Sequence, residues 1–138
     1  MSQAVQEWFT ARGFEVLPSY GADSAFAAYV MDEDPDRAAL RWVEVKAKAA
    51  PTLHRISNTL EHGINLSLFR EFQALAQVTG AEVELVIYEQ ISGELLARTI
   101  GRDQDGRVWA GDNPKKGGMI FWPRDSFRKI GEVRHGQA

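Results

Sequence analysis

The stretch Trp42-Val43-Glu44-Val45-Lys46-Ala47-Lys48 alternates strictly in polarity. A period of two predicts a strand, with Val43, Val45 and Ala47 on one face and Trp42, Glu44, Lys46 and Lys48 on the other. The first face is core, and the second carries charge. An acid and a base two residues apart on one face, amid apolar neighbours, cost stability unless the pair is solvated or used. Glu44 and Lys46 are therefore the first functional candidates. The bland alternative is an ordinary Glu/Lys pair on a surface strand, since Glu-x-Lys alone is short enough to arise by chance.

Upstream, a second alternating run from Ser24 to Met31 sets Phe26, Ala28 and Val30 against Ala25, Ala27 and Tyr29, with Asp23 in phase with the latter set. The polar run Asp32-Glu33-Asp34-Pro35-Asp36-Arg37 reads as a hairpin loop between the two strands. A turn centred between Asp34 and Pro35 predicts Asp23 opposite Lys46 and Ala25 opposite Glu44. Opposed and diagonal side chains on one face lie within ~4.5–8 Å, so Asp23, Glu44 and Lys46 are expected to converge.

Further out, residues 2–12 read as a helix bearing Val5, Trp8 and Phe9 on one side and Glu7 elsewhere, with Ser2 as N-cap and Gly13 as stop. A short strand at Phe14–Leu17 follows, stopped by Pro18. Downstream, Pro51 breaks the central strand, and residues 51–63 lack a clear period, which predicts a loop carrying His54, Arg55 and His62. The stripe Leu68, Phe69, Phe72, Leu75 and Ala76 predicts a helix over 65–79 that ends at Gly80. Residues 82–91 form another strand, although Val86 blurs its polarity, and Gly93 starts a hairpin into Leu95–Ile100. In the tail, the glycine-rich segment Gly111–Gly118 is expected between two short strands, with a short helix near Arg124–Ile130.

A chain of 138 residues, 44% hydrophobic and 25% charged, fits one domain over 1–138. With no cysteine, disulfides and thiolate metal sites are impossible. No segment resembles a signal peptide or a membrane span, so a soluble, cytoplasmic protein without a membrane partner is expected. The net charge of −3 argues against indiscriminate nucleic-acid binding and leaves room for a local basic groove.

Helix, three strands, helix, strand, with an acid before the second strand and Glu-x-Lys near the end of the third, resembles the PD-(D/E)XK nuclease superfamily. The resemblance implies an α/β fold of the α+β kind: a restriction-endonuclease-like αβββαβ core over about 2–91, its mixed central sheet flanked by helices. Residues 92–138 have no counterpart in that core and read as a C-terminal β-hairpin extension. Carried over residue by residue, Asp23 takes the place of the first acid, Glu44 and Lys46 the paired acid and lysine, and Glu7 the helix-borne acid of some members. Pro35-Asp36 also spells the literal motif ahead of Glu44-Val45-Lys46. From a hairpin tip, however, the step to Glu44 spans ~26 Å of extended strand, whereas two carboxylates sharing a cation approach within ~4–5 Å. Asp36 is read as a turn residue.

The implied activity is metal-dependent endonucleolytic hydrolysis of phosphodiester bonds, with DNA as the expected partner. Magnesium, with manganese as a substitute, suits oxygen donors, here the carboxylates of Asp23 and Glu44 and the backbone carbonyl of Val45. Lys46 would orient the attacking water or offset charge on the phosphate. Lys48, Arg55, Lys115 and Lys116 are candidates for holding the phosphate backbone, the last two because neighbouring glycines permit close approach. Two other readings stay open: a silent binding or assembly module of the same fold, and a subunit active only in a complex. The small size fits a homodimer or a separate targeting protein. His54 and His62 lack a third nearby ligand for zinc. Trp109 and Trp122 are read as core before base-stacking residues.

Overall fold

The computed structural model describes residues 3–17, 26–31, 40–80, 82–100 and 106–133. Helix α1 (Gln3–Thr10) buries Val5 and Phe9, one turn apart, and the chain leaves it through Gly13, whose φ of +87° suits a residue without Cβ. Strands β1 (Glu15–Leu17), β2 (Phe26–Met31) and β3 (Leu40–Lys48) form an antiparallel meander. Strand β4 (Thr52–Leu53) and strand β5 (Leu60–Asn65) come next, then helix α2 (Leu66–Thr79). Strands β6 (Glu82–Glu89), β7 (Glu94–Ile100), β8 (Arg107–Trp109), β9 (Met119–Pro123) and β10 (Arg128–Glu132) complete the fold.

Two sheets result. The larger is mixed, in the order β1-β2-β3-β6-β7-β10, and only its β3/β6 pair is parallel. The smaller is antiparallel, in the order β4-β5-β9-β8. The α+β class with a mixed sheet thus stands. Both faces of β6 are buried: Leu85 and Ile87 meet α2 and the small sheet, while Val86 and Tyr88 meet α1. Burial on two sides is why Val86 breaks the alternation.

Two cores follow from this layering. Phe69 and Phe72 of α2 pack with Ile64, Ile120 and Trp122 of the small sheet against Leu85 and Ile87. On the other side of the large sheet, Val5 and Phe9 of α1 cover Val43, Val45 and Val86. Each such side chain contributes about 1.5–3 kcal/mol by leaving water. The α2 stop is Gly80, left-handed at φ +70°, whose N–H reaches the Ala76 carbonyl.

Three expectations are corrected. Ala27, not Ala25, lies opposite Glu44, so the β2/β3 register is displaced by two residues. A two-residue slip keeps every side chain on its face, which is why alternation cannot detect it. Residues 51–63 are not a loop throughout: they hold β4 and the first four residues of β5, whose alternation is hidden because its polar residues are buried. The short helix near Arg124–Ile130 is a single 3-10 turn at Arg124–Ser126, followed by β10 on the edge of the large sheet beside β7. Its bulge brings Gly131 so close to Trp8 that an added Cβ would stand 2.5 Å from the indole. Strands β8 and β9 do flank the glycine-rich segment, and β9 also pairs with β5.

Candidate functional site

Strand β3 sets out one row of polar side chains. Glu44, Lys46 and Lys48 share its α2 face, opposite the Val43/Val45 face that α1 covers. Burial is nearly complete for Glu44 and Lys46, at 0% and 5% exposure, and partial for Lys48. Same-face positions on a strand are spaced by about 6.6 Å, so Lys46 and Glu44 lie one and two such steps inward from Lys48.

At the Lys48 end the row meets a cleft of about 410 Å³, lined among others by Lys48, His54, Arg55, Asp112, Asn113 and Phe121. Its walls come from β3, the β4–β5 hairpin, β9 and the glycine-rich loop before β9. The Phe121 ring fills the place of a side chain at Gly63. His54 is buried, stacks on Trp109 at 4.7 Å between centroids and meets Phe121 edge-on at 4.9 Å. Its Nδ1 accepts the Ile56 N–H at 3.1 Å, which leaves Nε2 to donate to Asp112 Oδ2 at 2.7 Å. Arg55 pairs with the other oxygen of Asp112. Burial alone would raise the Asp112 carboxyl, but its bonds to His54 and Arg55 outweigh this and hold it below the usual range. Asp112 thereby locks the hairpin to the glycine-rich loop.

A second polar cluster joins the two sheets. His62 Nε2 lies 2.6 Å from Glu89 Oε2, and Arg124 grips the same carboxylate with Nη2 on Oε1 at 2.8 Å and Nε on Oε2 at 3.0 Å. Burial pushes the His62 pKa down against the pull of Glu89. For Glu89 burial acts upward, yet the Arg124 and His62 bonds win and hold it below its usual value. His62 is neutral here and donates its Nε2 hydrogen to an ionised Glu89. Glu89 is also the direct neighbour of Lys48 in the parallel β3/β6 register.

Of the residues expected from sequence, the structure brings Lys48 and Arg55 to one cleft. Lys115 and Lys116 are exposed on the 3-10 turn Pro114–Lys116, which starts beside Asn113 of the cleft wall. Glu44 and Lys46 share the row that leads inward. Val45 contributes its backbone to the centre of the large sheet, between Phe26 and Val86. Glu7 is exposed on α1, on the side of the sheet opposite to Glu44, and is not brought to the row. Asp23 and Asp36 lie outside the described residues. Among the described residues no three His, Asp or Glu side chains stand together as a metal set. Glu44 by itself supplies the hard oxygen donor that magnesium takes.

Sequence reasoning missed the partners. Asp112 and Asn113 looked like part of a glycine-rich turn, and Glu89 like the end of a strand. Asn113 Nδ2 donates to Asn65 Oδ1 at 2.8 Å, and the Gly118 carbonyl receives the Leu66 N–H at 3.0 Å, so the loop also caps the start of α2. The detectable signal was charge. From Val45 to Leu60 the chain carries Lys46, Lys48 and Arg55 and no acid, and from Asn113 to Arg124 it carries Lys115, Lys116 and Arg124 and no acid. No protein family, curated protein or solved structure matches the chain.

Proposed function

We propose that the chain is a metal-dependent nuclease of the PD-(D/E)XK kind, acting on DNA inside the cell. One observation carries this reading: the Glu44–Lys46 pair lies on the strand row that runs into a cleft lined by Lys48, Arg55 and Asp112, with the exposed Lys115 and Lys116 on the turn that follows its Asn113 wall. In a chain of net charge −3, that grouping of cations favours a polyanion at this face.

In this reading Lys48, Arg55, Lys115 and Lys116 hold phosphates, and Lys46 offsets charge on the scissile phosphate or orients the attacking water. Glu44, with Asp23 and the Val45 carbonyl, would hold Mg²⁺ or Mn²⁺. When bound, such an ion lowers the pKa of its water and polarises the phosphoryl group. A homodimer or a targeting protein would add specificity.

The test is incubation of the purified protein with plasmid, single-stranded and branched DNA in magnesium, manganese or calcium. Cleavage with the first two and not with calcium is expected. The complete burial of Glu44 favours a second reading, a binding or assembly module of the same fold. Binding of these DNAs without cleavage under any metal selects it.

A further inference from the structure

The β4–β5 hairpin exposes three large apolar side chains on a rigid frame. Leu53 and Leu60 are direct cross-strand partners, 61% and 50% exposed, and Ile56 in the connecting turn is 57% exposed. A soluble surface normally scatters such residues singly, as with Val78 on α2 and Ile91 after β6. Here they gather on one hairpin. Its connection is held by His54 N–H to the Thr59 carbonyl at 3.0 Å, Asn58 N–H to the His54 carbonyl at 2.9 Å and Ile56 N–H to His54 Nδ1. Asn58 takes the left-handed conformation at φ +58°, and the buried His54 is anchored on Asp112. The apolar tip is therefore a fixed projection.

Its surroundings carry two cations, Lys48 and Arg55, against one cleft-lining acid, Asp112, which pairs with Arg55. Arg55 sits in the same turn, Lys48 and Arg55 line the cleft beside it, and no acid occurs between Val45 and Leu60. A ligand that satisfies both features must offer negative charge and apolar faces within a few ångströms of each other. Nucleic acid does so once a base pair is opened, because phosphates then lie beside unstacked bases.

We infer that the β4–β5 hairpin is a wedge: Ile56, backed by Leu53 and Leu60, inserts at a junction between paired and unpaired nucleic acid, and the adjacent cleft receives the displaced nucleotide. Phe121 gives the cleft an apolar wall for the base, and Lys48 and Arg55 line the same cleft. The inference rests on the nucleic-acid reading above and narrows its substrate class to forked, branched or locally unpaired molecules.

The test uses the full chain, in the absence of divalent cations, with a forked DNA and a fully paired duplex, each carrying a fluorescent base analogue that brightens on unstacking. The wild type should bind the fork more tightly than the duplex and brighten the analogue at the fork. Ile56→Ser, at an exposed position that leaves both cores intact, should reduce the preference for the fork about tenfold and abolish the brightening. Arg55→Ala should weaken binding to both DNAs and retain brightening at saturation. Circular dichroism checks the fold of each variant, and Leu53→Ser repeats the measurement should Ile56→Ser fail to fold. Fork binding without brightening, or brightening that survives Ile56→Ser, overturns the wedge and leaves the nuclease reading standing. Absence of binding to every DNA overturns both. A self-association of the wild type that Ile56→Ser abolishes, without change in brightening, assigns the patch to a second copy of the chain and also overturns the wedge.

Discussion

His62 on β5 and Glu89 on β6 meet through a buried 2.6 Å hydrogen bond that ties the small sheet to the large one. Glu89 is almost wholly buried, and His62 and Arg124 compensate its charge. Arg124→Met should therefore cost about 3 kcal/mol, because it strands a buried carboxylate. Glu89→Gln combined with Arg124→Met should cost less than the single change. A double-mutant cycle by urea denaturation measures this coupling, and additive effects would show that the pair is not a unit.

Acid should weaken the protein in two stages. The pKa of His62 is lowered from 6.5, chiefly by burial, so the unfolded chain takes up a proton there before the folded one does. The folded-state carboxyls of Glu89 and Asp112 lie below 4.5 and 3.8, because their hydrogen bonds outweigh desolvation. All three groups therefore contribute stability that is complete above the unfolded values and lost as pH falls through the folded ones. The melting temperature should begin to drop below about pH 6.5 and drop further in the carboxylate range. Glu89→Gln should flatten the lower stage while the upper one persists. A melting temperature level from neutral to acid pH would contradict the cluster as described.

At Gly63 an added Cβ would stand 2.5 Å from Cδ1 of Phe121, a residue with 5% exposure. Gly63→Ala should destabilise by about 1–3 kcal/mol through overpacking. Adding Phe121→Leu should recover part of that loss, which chemical denaturation of the two variants will reveal. Full stability of Gly63→Ala would mean that the cleft wall yields.

Under the proposed function, Glu44→Gln should abolish cleavage, and Lys46→Ala should slow it by at least about a hundredfold with binding preserved. Rates on saturating DNA, beside an anisotropy titration, separate the two effects. If either variant cleaves at the wild-type rate, the β3 row is not the site.

Lys115 and Lys116 are point charges on a 3-10 turn with glycines on its far side, suited to phosphates more than to base edges. Changing both to alanine should weaken binding similarly across sequences and flatten the log–log salt dependence by about one to two units. An unchanged slope would put the turn outside the interface.

Local periodicity was enough to read β3, α2 and β6, the β6–β7 hairpin and the two faces of the β3 row, because each of these elements repeats its apolar residues at the spacing its own backbone imposes. The shared face of Glu44 and Lys46 was legible for the same reason. Alternation could not set the β2/β3 register, since a slip by two residues leaves every face unchanged and only packing against the rest of the sheet selects Ala27 as the neighbour of Glu44. Nor could it find β5 or the cleft. There, burial falls on polar side chains, and a polar side chain is stable inside only when its partner arrives from elsewhere: Glu89 for His62, 27 residues away; Asn113 for Asn65, 48 away; Asp112 for His54, 58 away. Apolar pattern is a property of neighbours along the chain, whereas compensation of buried polar groups is a property of neighbours in space, and the folded chain alone decided which polar residues those are.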